Sequence, residues 1–163
     1  MKRKIVFLDR DGIINRDRGT YTWKREDFEE LPGVDAFLNA CNDQGFSIVI
    51  ITNQAGIARG LYTIQDVQAL MDEWVKEKWK QGVELLDYYF SPHFTEVGNS
   101  LDRKPGSLMI EKALARFDGD LKQSLMIGDN QKDQDAAEGA GIRGYVIPAN
   151  GDLSEQIHLL SGA

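Results

Sequence analysis

Apolar and β-branched residues gather in five short runs, Lys4 to Leu8, Ser47 to Thr52, Leu86 to Phe90, Leu125 to Gly128 and Gly144 to Ile147, each the length of a buried strand. Between most of them the apolar period lengthens to that of a helix. Val34 to Gln44 places Val34, Phe37, Leu38 and Cys41 on one face and stops at Gly45. Thr63-Ile64-Gln65-Asp66 has the form of an acidic capping box, and the stripe Val67, Leu70, Met71, Trp74 carries a helix towards Gly82. Further helices are predicted over Leu108 to Phe117, Asp135 to Ala140 before Gly141, and Ser154 to Leu160. Alternation of strand and helix predicts a parallel sheet with right-handed crossovers, hence an α/β, three-layer, doubly wound (Rossmann-like) fold with strand order 3-2-1-4-5. In that order the chain reverses direction between the first and fourth strands, so Asp9 should face Asp129 across the crevice where such sheets bind ligands.

A length of 163 residues with 42% hydrophobic content fits one domain, residues 1–163, able to bury a core without disulfides. Cys41 is the lone cysteine, which excludes an intramolecular disulfide or a multi-cysteine zinc site and agrees with a reducing compartment. Met1-Lys2-Arg3-Lys4 has the charge of a signal segment, but the apolar run after it ends at Asp9, too short for a leader or a membrane span. A cytoplasmic protein with no membrane partner is expected. The net charge of −7 disfavours a nucleic-acid partner. A small anionic substrate remains open, provided that a few Lys and Arg residues and a divalent cation are focused at one site.

The chemistry-bearing residues sit at the ends of the predicted strands. Asp9-Arg10-Asp11-Gly12 delivers two carboxylates into a turn after the first strand. Gly128-Asp129-Asn130 follows the fourth strand, with Asp133 one helical turn further on; hard oxygen ligands of this kind suit Mg²⁺. Thr52-Asn53-Gln54 ends the second strand with a hydroxyl and two amides able to donate to phosphoryl oxygens. Lys104, before Pro105 and Gly106, adds a cation in a loop entering a helix. Taken singly, each segment also reads as something ordinary: an Asp-rich turn, a helix N-terminus with acids complementing its dipole, a Thr-Asn turn, a solvated lysine.

The succession Asp-x-Asp-Gly, strand-Thr-Asn, loop-Lys-Pro, strand-Gly-Asp-x₃-Asp strongly resembles the haloacid-dehalogenase-like phosphohydrolases, over nearly the whole chain. That resemblance implies a mechanism in which Asp9 attacks phosphorus to form an aspartyl-phosphate, while Asp11 protonates the leaving alkoxide and then activates water. It implies Mg²⁺ held by Asp9, the backbone carbonyl of Asp11, and Asp129, with Asp133 and Asn130 supporting the cluster and Asp133 orienting Lys104. Thr52, Asn53 and Lys104 would bind the transferring phosphoryl group. Neither interval that carries a cap domain in larger members has room for one here. Ile13 to Leu31 is expected to form only a flap, leaving an open site suited to a substrate with bulk or a second anionic group of its own.

Within that superfamily the chain is most similar to the capless heptose 1,7-bisphosphate phosphatases and the related histidinol-phosphate phosphatases. Thr52 to Gly60, with Arg59-Gly60 as its discriminating part and Ala55 where Ser is usual, and Arg103-Lys104-Pro105 carry the likeness. The resemblance implies substrate contacts from Gln54, Arg59 and Arg103, the last able to grip a remote phosphate or hydroxyl; as plain residues both arginines also read as surface charges. Both groups commonly hold a zinc loop through Cys-x-His and Cys-x-Cys, where this chain has Ser91-Pro92-His93 and Ser100-Leu101-Asp102. With His93 alone among strong ligands, zinc is not expected, and residues Phe94 to Leu101 must be ordered by packing or left mobile. Asn130 replaces a Lys of some heptose enzymes, and Ile13 a common Thr. The expectation is a Mg²⁺-dependent phosphomonoesterase, a monomer, acting on a small phosphorylated sugar, foremost heptose 1,7-bisphosphate. Another small ester such as histidinol phosphate is the first alternative, and a catalytically silent binding domain the second.

Overall fold

The computed structural model describes residues 1–94 and 100–162. Its elements run β1 (Lys4–Leu8), α1 (Val34–Asp43), β2 (Phe46–Asn53), α2 (Ile64–Lys80), β3 (Leu85–Ser91), α3 (Leu108–Arg116), β4 (Leu125–Gly128), α4 (Gln131–Gly139) and β5 (Arg143–Val146), with 3₁₀ turns at Arg25–Asp27 and Leu153–Leu160. The five strands form one parallel sheet in the order β3-β2-β1-β4-β5, as the alternation of periods predicts. Period-two alternation along β1 divides the core. Val6 and Leu8 pack with residues of α1 and α2 on one face, whereas Ile5 and Phe7 pack with residues of α3 and α4 on the other.

Register brings the catalytically interesting ends together. Leu8 pairs with Ile50 of β2 and Ile127 of β4, so that Asp9, the residues after Ile51 and the residues after Gly128 leave the sheet side by side. The backbone N–H of Asp9 donates to the Ile127 carbonyl at 3.1 Å, which fixes the first acid against β4. No separate unit covers this edge among the described residues. Residues 13–31 instead form a flap whose base is closed by an antiparallel bridge between Asn15 and Glu30 and whose Ile14, Phe28 and Leu31 are buried in the core.

Two helical expectations are corrected. α4 begins at Gln131 rather than Asp135, because Asn130 and Asp133 form a reciprocal capping box; the first apolar residues of that helix, Ala136 and Ala137, come too late for periodicity to find its start. The segment from Leu153 to Leu160 is 3₁₀, not α, since buried Leu153 and Leu160 need only an apolar residue every third or fourth position, which either helix supplies. No described helix is long and apolar enough to cross a membrane.

Candidate active site

Two glycines permit the carboxylates to converge. Gly12 adopts φ +87°, and a Cβ there would run into the carboxylate of Asp129; a Cβ on Gly128 would occupy the place of the Asp133 carboxylate. With both side chains missing, Asp9, Asp129 and Asp133 bring one oxygen each within 4.8 Å of one another. Lys104 lies among them, 3% exposed, and its ammonium donates to Asp9 Oδ1 at 2.8 Å, Asp133 Oδ1 at 2.5 Å and the Ile51 carbonyl at 3.0 Å. All three donors are engaged, so Lys104 meets a ligand through its charge or by exchanging one of these bonds.

Charge at this centre does not balance. Burial lifts the Asp9 carboxyl well above the ordinary carboxylate range; Lys104 pulls against the shift, and the Asp133 and Asp129 carboxylates add to it. Asp129 is raised as well, chiefly by burial. On Lys104 burial opposes the charge, yet Asp9 and Asp133 outweigh it and the ammonium is held above its usual value. One cation set among three converging carboxylates leaves an excess of buried negative charge, and an all-oxygen donor set fits a hard divalent cation. The cavity they line, about 230 Å³, also takes in Asp11, Asp17, Asn53, Asn130 and Lys132. Lys132 thus stands near where Asn130 supplies no charge.

Asp11 belongs to a second arrangement. Its Oδ1 accepts from Arg10 Nη2 at 2.7 Å and Asn15 Nδ2 at 3.0 Å, and its Oδ2 from Gln54 Nε2 at 3.2 Å. Arg10 is wholly buried and also bonds the Thr22 carbonyl of the flap. Its position between two acids was the available sequence signal for this role, and neither it nor Asn15 is singled out by the motif. The carboxylate of Asp11 is not part of the three-acid cluster.

The remaining expected residues fall into two groups. Thr52 is buried, and its hydroxyl accepts from Gln54 at 2.9 Å. Asn53 bonds the backbone of Lys104 in both directions, donating to its carbonyl at 3.1 Å and accepting from its N–H at 3.0 Å, so it fixes the lysine loop while its second amide hydrogen stays on the cavity wall. Gln54, expected as a substrate contact, is only 2% exposed; its amide donates to Asp11 and Thr52, and its carbonyl accepts from Tyr62 at 2.7 Å. Arg59 and Arg103, by contrast, do come together. Their guanidinium carbons lie 4.0 and 5.8 Å from the ring centre of Phe94, and neither forms a salt bridge among the described residues. Burial, and the nearby charge of Arg59, lower the Arg103 pKa. Arg59 edges a cavity of about 430 Å³ that shares Asp11, Asp17 and Asn53 with the first, so the two adjoin.

At the positions expected from the resemblance to mark a zinc loop, Asp102 accepts from Ser91 Oγ at 3.1 Å and Ser100 Oγ at 2.5 Å, and His93 Nε2 lies 3.6 Å from its second oxygen. Hydrogen bonds thus tie the two serines to the Asp102 carboxylate, with the His93 ring beside it. The expectation for Phe94 to Leu101 bears largely on residues 95–99, which lie outside the described residues.

Comparison with known proteins agrees with this geometry. A family described as HAD-hydrolase-like matches residues 101–157. D-glycero-alpha-D-manno-heptose-1,7-bisphosphate 7-phosphatase of Photorhabdus laumondii is 38% identical over 161 residues, covering 94% of this chain and 87% of its own. The beta-anomer 7-phosphatase of Haemophilus ducreyi is also 38% identical, over 93% of this chain and 86% of its own. Among solved structures, D,D-heptose 1,7-bisphosphate phosphatase from B. bronchiseptica, complexed with magnesium and phosphate, superposes with a TM-score of 0.81 at 26% identity, covering 96% of this chain and 86% of that one. With this coverage and identity, the chain belongs to the haloacid-dehalogenase-like hydrolases, in the group that contains the heptose-bisphosphate phosphatases.

Proposed function

We propose that this protein is a Mg²⁺-dependent phosphomonoesterase that removes the 7-phosphate from D-glycero-D-manno-heptose 1,7-bisphosphate. The observation that carries the reading is the adjacency of two unlike cavities: one lined by Asp9, Asp129, Asp133 and Lys104, the other edged by Arg59, which shares the Phe94 ring with Arg103. The first suits a reacting phosphoryl group, and the two guanidiniums, neither in a salt bridge among the described residues and Arg103 bonded to the His93 carbonyl at 3.0 Å, suit a second anionic group on the same substrate. The relatives' names supply the sugar.

The chain's own groups divide the chemistry. A carboxylate and a phosphate dianion repel, so attack by Asp9 needs positive charge between them, and Lys104, 2.8 Å from Asp9, supplies part of it. Asp9 and Asp129, with the backbone carbonyl of Asp11, would hold Mg²⁺, while Asp133 fixes Lys104 and, through the bond from the Asn130 N–H to its Oδ2, the start of α4. When bound, the ion supplies charge neutralisation and Lewis acidity towards the phosphoryl oxygens. Asp9 forms a bond to phosphorus as the ester P–O bond breaks, and the departing oxygen takes the proton of Asp11. Asp11, now a carboxylate, removes a proton from water as the water oxygen attacks the aspartyl-phosphate, returning Asp9 and releasing phosphate. We read residues 1–163 as one catalytic unit, monomeric and cytoplasmic.

A substrate panel tests the reading: phosphate release from both heptose bisphosphate anomers, histidinol phosphate and fructose 1,6-bisphosphate, with Mg²⁺. The expected result is the highest kcat/KM on one heptose anomer, with heptose 1-phosphate as product. Arg59→Ala combined with Arg103→Ala should raise KM for the bisphosphate about 10- to 100-fold more than for a monophosphate. Preference for histidinol phosphate would replace the sugar assignment, and no release from any ester would leave a binding domain.

A further inference from the structure

The bonds around Asp11 are uneven. Oδ1 takes two donors, Arg10 and Asn15, whereas Oδ2 takes one, the Gln54 amide, on a side chain that is 32% exposed and lines both cavities. Oδ2 therefore keeps a lone pair that no described donor takes. With Asp11 as a carboxylate, which only accepts, the Gln54 N–H faces it at 3.2 Å and the Gln54 carbonyl accepts from the Tyr62 hydroxyl at 2.7 Å. Tyr62 reaches that point by crossing over Gly56, where any Cβ would collide with its ring. Its ring lies against two residues of the flap, stacked on Trp23 at 6.1 Å between centroids and tilted on Tyr21 at 5.8 Å. Burial pushes its phenol up to about 12, so it stays a proton donor to Gln54 across the neutral range.

We propose that Gln54 and Tyr62 are positioning residues that hold Oδ2 of Asp11 as the proton-transferring oxygen and tie its placement to the flap through Tyr21 and Trp23. Arg10, bonded to both Asp11 and the Thr22 carbonyl, ties the other carboxylate oxygen to the same flap. A substrate seated between the flap and the sheet thereby meets an acid whose position the flap has set. This inference rests on the assignment of Asp11 as acid and base in ester hydrolysis.

Leaving-group dependence separates a positioning role from a structural one. A p-nitrophenolate leaves without a proton, whereas a sugar alkoxide needs one, so a displaced Asp11 slows phosphoryl transfer to Asp9 from the sugar ester more than from the aryl ester. The experiment compares single-turnover cleavage of heptose 1,7-bisphosphate and p-nitrophenyl phosphate by the wild-type chain, Tyr62→Phe and Gln54→Ala, with Mg²⁺ and with the melting temperature of each variant recorded. Tyr62→Phe keeps the ring and its stacking, so it reports on the hydroxyl even if Gln54→Ala does not fold. The expected result is a loss on the sugar ester that exceeds the loss on the aryl ester by about tenfold or more, in the maximal single-turnover rate rather than in the half-saturating concentration. Equal losses on both esters, or no loss on either, would overturn the positioning role while leaving the phosphatase reading intact. No cleavage of either ester by the wild-type chain would instead defeat that reading, and the proposal with it.

Discussion

The molecule buries two lysines among carboxylates, and they serve different ends. Lys78 of α2, 1% exposed, donates to both oxygens of Glu30, at 2.6 and 2.9 Å, and to Asp35 at 2.7 Å, and so joins α2 to the flap base and α1. Lys104 makes a comparable set of bonds to Asp9, Asp133 and the Ile51 carbonyl. The difference lies in the anions. Glu30 and Asp35 keep 30% and 58% of their side chains in water, which hydrates their excess charge; Asp9 and Asp133 keep 12% and 2%, and a third acid, Asp129, converges on them. In both places burial works against the ammonium and the carboxylates overcome it. Only at Lys104 is the surplus negative charge kept from solvent, and that is the condition under which a cation and an anionic phosphoryl group bind strongly.

Replacing each lysine by Met should pull the two apart. Lys104→Met removes the cation beside the attacking group and should lower kcat/KM about 10²- to 10³-fold, read in a phosphate-release assay, with the fold retained by circular dichroism. A variant that keeps wild-type turnover would show that Lys104, like Lys78, is structural. Lys78→Met leaves two carboxylates that water can reach, so its expected effect is on stability, about 1–3 kcal/mol by denaturant titration, with kcat/KM within about threefold of wild type.

Between these in size stands the response to Mg²⁺ and pH. Asp9 and Asp129 titrate above their unfolded values, so the metal-free folded chain holds more protons than the unfolded one. The centre's contribution to stability is therefore present at acid pH and falls as pH rises through the titration of those carboxylates. Lys104, raised above an already high value, stays charged throughout this window. A cation that binds only the folded state should restore the loss: at about a hundred times its Kd, Mg²⁺ should raise the melting temperature by roughly 5–10 °C near pH 7.5, and by much less near pH 5, where protons compete. Equal shifts at both pH values would mean that the ion binds elsewhere.

Much of this was legible in the residue pattern, and the limits have physical causes. Strand order and the facing of Asp9 and Asp129 follow from alternating periods and one topological rule, because turns bound the strands and helices separate them along the chain. The start of α4 was hidden because no apolar residue of the helix precedes Ala136, whereas the equally polar box at Thr63 runs directly into Val67 and Leu70. The bonding of Gln54 was hidden for a different reason. An amide at a strand end can face a ligand or a neighbour equally well, and its partner Tyr62 lies eight residues on, across a loop whose path only the small Gly56 permits. Ser91, His93, Ser100 and Asp102 read as a lost metal site, and nothing in the sequence indicates that Asp102 would become the acceptor for both serines.

The most direct measurement is phosphate release from heptose 1,7-bisphosphate by the wild-type chain and by Asp9→Asn, each with Mg²⁺ and with chelator, contaminating phosphatase excluded. If the buried carboxylate centre is the site of phosphoryl transfer, release occurs only from the wild-type chain with Mg²⁺ and falls about 10⁴-fold or more in Asp9→Asn, which folds normally. Release by Asp9→Asn at the wild-type rate, or release indifferent to chelation, would contradict the account.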